Sequence, residues 1–270
     1  MNLNTITDVK RPKSLDEVRG WRPGNAWLAG GTWLFSEPQV HTDTLIDLET
    51  LGWPALTVTN DGLEIAATCR IFELYAFEGP EEWSASPLIQ ECCRSFLSSF
   101  KIWNEATIGG NIVMSLPAGP MISLTVALEA EYELWPRDGA PRKVEARDFV
   151  TGVHANVLTP GELLRAIRVP ARVMQKRFAF RRASLTHLGR SSVLLIGTKD
   201  GAEMLLTITA ATVRPMQLHF DKKPSDAALR DAIDAALPAD LYLDDVHGSP
   251  AHRRHLTYHF AGEICRELFK

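Results

Sequence analysis

The stretch Ala106-Thr107-Ile108-Gly109-Gly110-Asn111 places two adjacent glycines in a small polar loop between apolar runs. A second pair stands far upstream, in Ala29-Gly30-Gly31-Thr32. Glycine has no Cβ, so its backbone can take positive φ angles and approach a ligand closely. Consecutive N–H groups in such a turn favour an anion, and a threonine hydroxyl adds a donor. One such pair is more often an ordinary turn, whereas two predict a pair of loops that close on one diphosphate.

These glycine pairs do not belong to the common nucleotide motifs. No G-x-G-x-x-G follows a strand, so the dinucleotide fold that carries this fingerprint is not indicated. No G-x-x-x-x-G-K-S/T occurs either, which argues against a nucleoside triphosphatase loop. No nucleophile and base are arranged as in a hydrolase. We therefore expect a different, two-loop site for the diphosphate.

The composition is ordinary for a globular protein, with 45% hydrophobic and 23% charged residues in a chain of 270. This length predicts roughly two domains, each with its own core. The formal net charge of −4 and the lack of a basic stripe argue against nucleic-acid binding. Residues 1–15 are polar, so we expect no secretory signal. No run approaches the ~18 apolar residues of a membrane span, and we expect a cytoplasmic protein.

The four cysteines are Cys69, Cys92, Cys93 and Cys265. None forms a C-x-x-C pair, so the chain is not expected to ligate an iron–sulfur cluster or a structural zinc. The adjacent Cys92 and Cys93 are predicted to lie on a helix, with at least one thiol buried as a small apolar group. A redox role for this pair is the alternative.

The first 170 residues are predicted to form two lobes. Ser14 and Glu17 have capping-box spacing and predict a short helix, and strands at residues 26–28 and 44–48 complete a small α/β lobe. A hairpin around Asn60-Asp61-Gly62 begins the second lobe. The remaining predictions in this lobe are helices at residues 71–77 and 88–100 (with Leu88, Cys92, Phe96 and Phe100 on one face), a helix or strand at 122–130, strands at 131–135 and 143–145, and a segment from residue 160 that ends the lobe at Pro170.

The rest of the chain, residues 171–270, is predicted to form a third unit. Strand patterns occur at residues 177–181, 191–198 and 203–210. Ser225 and the Ser249-Pro250 pair then predict the starts of two helices. The apolar stripe of the last helix is predicted at Leu256, Phe260, Ile264 and Leu268.

Further segments follow the glycine pairs in a characteristic order. Together, the glycine pairs and these segments resemble the medium, FAD-binding subunit of the molybdenum hydroxylases. This family includes carbon monoxide dehydrogenase and bacterial xanthine dehydrogenase. The likeness covers nearly the whole chain and lies in order and spacing rather than in one motif. The further segments are Ala127-Leu128-Glu129-Ala130, Pro160-Gly161-Glu162-Leu163-Leu164 leading to Val169-Pro170, Arg181-Arg182-Ala183-Ser184, and residues 242–256 with Gly248-Ser249 and Arg253-Arg254.

The resemblance implies an α+β fold in two domains. Residues 1–170 would form a two-lobed FAD-binding domain, with a small α/β lobe (about 1–55) and a mixed lobe (56–170), and residues 171–270 a C-terminal domain with a three-stranded antiparallel sheet and helices. It implies that each lobe holds the FAD pyrophosphate with one glycine loop, and that Leu163 and Phe178 lie near the isoalloxazine ring. No residue receives a catalytic or metal-binding role. The residues assigned to FAD are Trp27, Leu28, Ala29, Gly30, Gly31, Thr32, Trp33, Ala106, Thr107, Ile108, Gly109, Gly110, Asn111, Leu163 and Phe178.

The resemblance also implies a division of labour among three subunits. A large molybdopterin-binding subunit would oxidise the substrate, and a small subunit with two [2Fe–2S] clusters would relay the electrons. The FAD of this chain would pass them to an external acceptor, within a dimer of heterotrimers. Two alternatives stay open: a stand-alone FAD-dependent oxidoreductase, and a non-enzymatic assembly subunit that has lost FAD.

Three positions depart from the family pattern. Trp33 follows the first Gly-Gly-Thr, where an acidic or small polar residue is usual. Pro120 replaces an aspartate after the second glycine loop, and Ala179 stands where a lysine often faces the flavin. These departures keep the assembly-subunit alternative open. They concern contacts to the flavin, whereas the residues assigned to the pyrophosphate are intact.

Several polar side chains allow two interpretations. Asn111 can bond its own backbone or touch FAD, and Trp33 can pack in the protein or stack on the cofactor. His252, His255 and His259 share a helical face at a spacing that a metal site can use. Their basic neighbours favour a solvated surface over a metal site.

Overall fold

A small parallel sheet forms the N-terminal lobe of the computed structural model, which describes residues 3–14, 16–18 and 20–270. The elements of this lobe are β1 (Asp8–Lys10), a 3-10 helix (Asp16–Val18), β2 (Asn25–Leu28), β3 (Thr44–Asp47) and a 3-10 helix (Glu49–Leu51). The strand order is β1-β3-β2. The two predicted strands are confirmed. The predicted first helix is a single 3-10 turn. Leu15, which belongs to the predicted capping segment, lies outside the described residues. β1 was not predicted because it is short and exposed and has no apolar periodicity.

The second lobe is an antiparallel five-stranded sheet with helices on one face. Its strands are β4 (Leu56–Thr59), β5 (Gly62–Ala66), β6 (Glu131–Trp135), β7 (Arg142–Glu145) and β10 (Leu163–Pro170), with a separate two-stranded ribbon of β8 (Val150–Gly152) and β9 (Ala155–Asn156). Its helices are α1 (Ile71–Tyr75), α2 (Pro87–Ser95), α3 (Phe100–Trp103), α4 (Ile108–Val113), α5 (Pro120–Ala127) and α6 (Ala146–Phe149). Strand order is β4-β5-β10-β6-β7, and alternate side chains such as Leu63 and Ile65 are buried in the main core.

The helix predicted over residues 88–100 is interrupted. α2 ends at Ser95, and Phe96 leaves the helical conformation with φ −79° and ψ 80°. Phe100 opens the separate helix α3 and is 72% exposed, so it does not share the buried face of Leu88 and Cys92. Phe100 therefore fits the four-residue spacing of Leu88, Cys92 and Phe96 in the sequence, but it does not continue their helix. A pair of serines, Ser98 and Ser99, separates the two helices, and serine favours such breaks.

The C-terminal part contains four strands rather than the three that were predicted. Its elements are α7 (Ala171–Met174), β11 (Arg177–Ala183), β12 (Val193–Asp200), β13 (Glu203–Thr209), β14 (Met216–Phe220), α8 (Asp226–Ala236), a 3-10 helix (Ala239–Leu241) and α9 (Pro250–Leu268). The sheet runs in the order β11-β12-β13-β14. The missed strand β14 is a short edge strand, and its alternating Met-Gln-Leu-His-Phe sequence is the signal that could have found it.

Helix caps in the C-terminal part are as predicted. Ser225 accepts a hydrogen bond from the Ala228 N–H, and Ser249 accepts one from the His252 N–H. Ile264 and Leu268 of the α9 stripe are buried in a second apolar core beneath the four-stranded sheet. None of the helices in the described residues is long and apolar enough to cross a membrane.

Helix α5 joins the second lobe to the C-terminal part. All eight of its residues are buried. The Ser123 and Thr209 hydroxyl oxygens lie 2.7 Å apart, and Gln217 Nε2 donates to the Val126 carbonyl at 2.9 Å. The main core accordingly includes Leu194 and Ile196 from the C-terminal sheet. The sheets follow the division at residues 55 and 170, which stays our proposal for the domain boundaries.

A buried carboxylate fixes the turn that leads into β10. Glu162 is 3% exposed and accepts hydrogen bonds from Arg142 Nε at 2.6 Å, Arg142 Nη2 at 2.8 Å and the Thr159 N–H at 2.9 Å. Burial disfavours the charged carboxylate, but these donors outweigh it and hold the pKa of Glu162 below its ordinary value. The turn therefore depends on an ionised glutamate.

We expect Glu162→Gln to lower the free energy of unfolding at pH 7 by about 1–3 kcal/mol, because it weakens charge-assisted hydrogen bonds. A depressed folded-state pKa contributes stability above the unfolded pKa of about 4.3, and that contribution is lost as the pH falls through the folded value. The difference between wild type and variant should therefore shrink in acid. Urea unfolding at pH 7 and pH 3.5 measures it, and a pH-independent difference would contradict the assignment.

Candidate functional site

The first glycine pair lies in a turn that presents free backbone donors. The turn follows β2, Gly31 has φ +67°, and the Phe35 N–H closes it on the Gly31 carbonyl at 2.8 Å. Within the described chain, no acceptor meets the five N–H groups of residues 30–34. Such a run of unpaired N–H groups, with one residue in the left-handed region, forms a concave anion site. The prediction of a nest at this pair is consistent with this geometry.

Gly30 also allows the two lobes to meet. A Cβ at Gly30 would lie 1.8 Å from the Glu105 carbonyl oxygen and 3.1 Å from Ala106 Cα. Both contacts are with backbone of the second lobe, which cannot move aside as a side chain would. The absence of a side chain at Gly30 therefore brings the first loop against the segment that leads into the second glycine pair.

The second glycine pair is not a loop but the first turn of helix α4. Thr107 is its N-cap and accepts a hydrogen bond from the Gly110 N–H at 3.1 Å. The N–H groups of Ile108 and Gly109 donate to the carbonyls of Cys69 and Ala67, both at 2.9 Å. Neither glycine has a positive φ. The prediction of a second backbone nest is therefore wrong, because neighbouring protein groups already satisfy these donors.

The two glycines of α4 serve different purposes. A Cβ at Gly109 would lie 2.5 Å from Ala67 Cβ, so this glycine permits close packing on the end of β5. A Cβ at Gly110 would meet only Thr107 Oγ1, at 3.1 Å, and otherwise points into open space in a cleft. Gly110, and not Gly109, therefore leaves room for a ligand.

Asn111 links this helix to the next one. Its Oδ1 accepts a hydrogen bond from the Met121 N–H at 3.1 Å, near the start of α5. Its amide NH₂ group has no acceptor within the described part of the chain, and the residue lines the cleft. The Asn111 oxygen is thus bonded to the backbone of the next helix. It does not bond the backbone of its own loop, which was one of the two interpretations. The hydrogen bond from the Met121 N–H orients the side chain and leaves its NH₂ group free to donate to a ligand.

The cleft between the lobes has a volume of about 640 Å³. This lies within the roughly 300–1,000 Å³ of small-molecule and cofactor sites. Its lining is mostly apolar and includes the first loop, which carries the free N–H groups, and Asn111. The predicted residues that line it are Trp27, Leu28, Ala29, Gly30, Gly31, Thr32, Trp33, Ala106, Thr107, Gly110 and Asn111.

Four residues assigned to FAD do not line this cleft. Ile108 and Gly109 lie in the first turn of α4, and both are buried in the protein interior. Leu163 borders a smaller cavity of about 300 Å³, which shares only Trp27 with the cleft. Phe178 is partly buried against the main core, opposite Thr198 in the C-terminal sheet. Their assignments stay predictions.

The three departures lie in different surroundings. Trp33 is 36% exposed at the cleft, with its ring centroid 5.9 Å from that of His154. Pro120 lines the cleft as the first residue of α5. Ala179 is 1% exposed in the second apolar core, where a lysine ammonium would be buried among apolar side chains. Only Trp33 and Pro120 are therefore placed to alter the shape of the cleft.

Two residues that the sequence did not indicate also line the cleft. Leu188 and Arg190 come from the connection between β11 and β12, about 80 positions after the second glycine pair. They belong to no motif or periodic pattern. Only the packing of the C-terminal sheet against the second lobe brings them to the cleft.

A second, larger cavity of about 1010 Å³ lies between the five-stranded and the four-stranded sheets. Each lysine and arginine that lines it already has a carboxylate partner in the protein. Lys143, for example, lies 2.7 Å from Glu131, and Arg172 lies 3.3 Å from Glu129. The lysine and arginine side chains of this cavity are therefore already paired within the protein.

The family of the chain follows from its match to known proteins. Residues 5–172 match the family described as the FAD binding domain in molybdopterin dehydrogenase. This match covers more than half of the chain, and the chain belongs to that family, whose cofactor is FAD. The resemblance inferred from the sequence is therefore confirmed. The free N–H groups and the open space at Gly110 fit such a cofactor.

Individual relatives point the same way. The medium chain of carbon monoxide dehydrogenase from Afipia carboxidovorans is 31% identical over 175 residues, which are 60% of this chain and 58% of that one. The alignment thus spans little more than half of that relative. Caffeine dehydrogenase subunit beta from a Pseudomonas species is 27% identical over 73% of this chain and 69% of that subunit. A carbon monoxide dehydrogenase structure from Hydrogenophaga pseudoflava matches with a TM-score of 0.83 at 20% identity, covering 98% and 97% of the two chains. This last likeness confirms the α+β fold.

Proposed function

We propose that this chain is the FAD-binding, electron-transferring subunit of a molybdenum-containing hydroxylase or dehydrogenase. In this role it takes electrons from the [2Fe–2S] clusters of a partner subunit and passes them to an external acceptor. The observation that carries the proposal is the run of free N–H groups at residues 30–34, in a loop that lines a cleft with open space at Gly110. The names of the relatives, a medium chain and a subunit beta of dehydrogenases, support it.

The residues of the cleft would share the work of holding FAD. The N–H groups of the first loop would donate to the diphosphate, and the Asn111 amide would add donors from the second lobe. Gly110 would leave room for the ligand beside α4. The apolar walls would exclude water from the cofactor. When bound, FAD supplies the electron-transfer chemistry, and the protein supplies its position and electrostatic surroundings.

We do not expect the thiols of this chain to provide a competing redox centre. All four cysteines are free and buried. Burial raises the pKa of Cys92 well above its ordinary value and that of Cys93 to about 12. Thiolates are the reactive form, so the adjacent pair is poorly suited to redox chemistry at neutral pH.

The partners would be a large molybdopterin-binding subunit and a small [2Fe–2S] subunit, in a dimer of heterotrimers. The oxidoreductase would act in the cytoplasm. The substrate would bind to the large subunit, so this chain alone would carry no substrate pocket. Copurification of the tagged chain from its own source, followed by identification of the bound proteins, separates this proposal from a stand-alone oxidoreductase.

The purified chain is expected to show a flavin absorption spectrum and to release one FAD per chain on denaturation. The isolated subunit should pass electrons from a chemical reductant to an acceptor but should not oxidise an aromatic heterocycle. Absorption spectroscopy, identification of the released flavin and stopped-flow reduction measure these properties. A chain that takes up no added FAD would favour the assembly-subunit alternative. Heterocycle oxidation by the chain alone would favour a stand-alone enzyme.

A further inference from the structure

Arg190 is the one charged side chain among the described residues that line the cleft. It is exposed, and it has no hydrogen-bond or ion-pair partner in the part of the chain that the structure describes. The cations of the larger cavity, by contrast, are all paired with carboxylates. A single unpaired cation in the lining of an otherwise neutral cleft would favour an anionic ligand over a neutral one.

The loop that carries Arg190 is held firmly at its base. Arg182 Nε donates to Ser191 Oγ at 2.7 Å, and the Arg182 guanidinium also bonds the Gly189 carbonyl. The Ser192 N–H donates to the Ala183 carbonyl at 2.8 Å, which closes the loop across the two strands. Both sequence neighbours of Arg190 are thus anchored by one arginine. The backbone at Arg190 is therefore held in place beside the cleft, which reduces the entropic cost of ordering this loop on binding.

We propose that Arg190 pairs with the diphosphate of FAD, so that the C-terminal part of the chain helps to select the cofactor. This inference rests on the proposed function of the cleft as the FAD site. The first loop offers the diphosphate only neutral N–H donors, which leave its two negative charges without a counter-charge. A guanidinium supplies that charge and can bond two phosphate oxygens at once. Ligands with a diphosphate should then gain affinity from Arg190, and neutral riboflavin should not.

The test compares dissociation constants of FAD, ADP and riboflavin for the full chain and for Arg190→Gln. We expect the variant to bind FAD and ADP about five- to tenfold more weakly at low salt, a modest effect because the pair is solvent-exposed. Riboflavin affinity should be unchanged. The wild-type constants should also depend more steeply on salt than those of the variant. Arg190→Lys should recover part of the affinity.

Arg177→Gln is a matched control, since Arg177 is an exposed arginine on β11 that does not line the cleft. Equal FAD and ADP affinities for wild type and Arg190→Gln would overturn the inference. An equal loss for riboflavin would overturn it as well, because it would show that the change acts on the flavin or the loop rather than on the diphosphate. A wild-type chain that binds neither FAD nor ADP would overturn the proposed function itself.

Discussion

Gly110→Val is expected to remove FAD from the chain while the fold persists. The new side chain would project into the cleft, where only Thr107 Oγ1 lies within 4 Å of the Cβ position. Overpacking of a site costs about 1–3 kcal/mol, so the upper end corresponds to roughly a 100-fold loss of affinity. The helix should tolerate the change, since valine has a higher helix propensity than glycine. Bound flavin per chain, measured after purification, is the readout.

Gly109→Val is the control for this experiment. Its Cβ would lie 2.5 Å from Ala67 Cβ and 2.6 Å from the Ala67 carbonyl oxygen, so it should destabilise the fold rather than block the cleft. The pair of variants separates a ligand-binding effect from a folding effect at adjacent positions. Normal flavin content in Gly110→Val would disprove the assignment of the cleft.

Arg253→Met is expected to lower the free energy of unfolding by about 3–5 kcal/mol, because buried carbonyl groups that lose their donor cost about 1–3 kcal/mol each. Arg253 is 1% exposed. Its guanidinium donates to the carbonyls of Gly248, Ser192 and Ala210 at 3.0, 2.6 and 2.7 Å, and it also pairs with Asp245. Methionine would fill the space of the side-chain stem and leave the Ser192 and Ala210 carbonyls without this donor. Urea unfolding followed by circular dichroism measures the loss.

The adjacent Arg254→Met serves as the control. The Arg254 side chain is 49% exposed and pairs with Asp234 at the surface. Surface pairs contribute little to stability, so this variant should unfold close to wild type. If the two variants were equally stable, the network around Arg253 would not hold the C-terminal part together.

The elements predicted correctly are those whose signal is local. The hairpin at Asn60-Asp61-Gly62 and the caps at Ser225 and Ser249 depend on a few neighbouring residues, and all are present. Helix α4 is the opposite case. Two glycines in a six-residue segment disfavour a helix, yet α4 forms because Cys69 and Ala67 accept its first N–H groups. Those acceptors are supplied by tertiary structure, which a local pattern does not contain.

In the candidate site, too, local features were predictable from the sequence and features that depend on tertiary structure were not. Three glycines of the two pairs, Gly30, Gly31 and Gly110, line the cleft, since glycine lets a backbone approach a neighbour or a ligand closely. The distinct roles of Gly109 and Gly110 were not predictable, since they depend on which neighbour each faces. Leu188 and Arg190 were missed for a related reason, as they reach the cleft only through the docking of the C-terminal sheet.

The burial of α5 has a consequence for synthesis of the chain. Ser123 of this apolar helix contacts Thr209, which is 86 residues later in the chain. A ribosome that adds about 5–20 residues per second needs roughly 4–17 seconds to make that stretch. During this interval the face of α5 that β12 and β13 later cover is without its partner. The nascent chain therefore passes through a stage in which an apolar helix face is exposed and prone to aggregation. A chaperone that binds this face would protect the chain, and slow codons within this stretch would prolong the exposure.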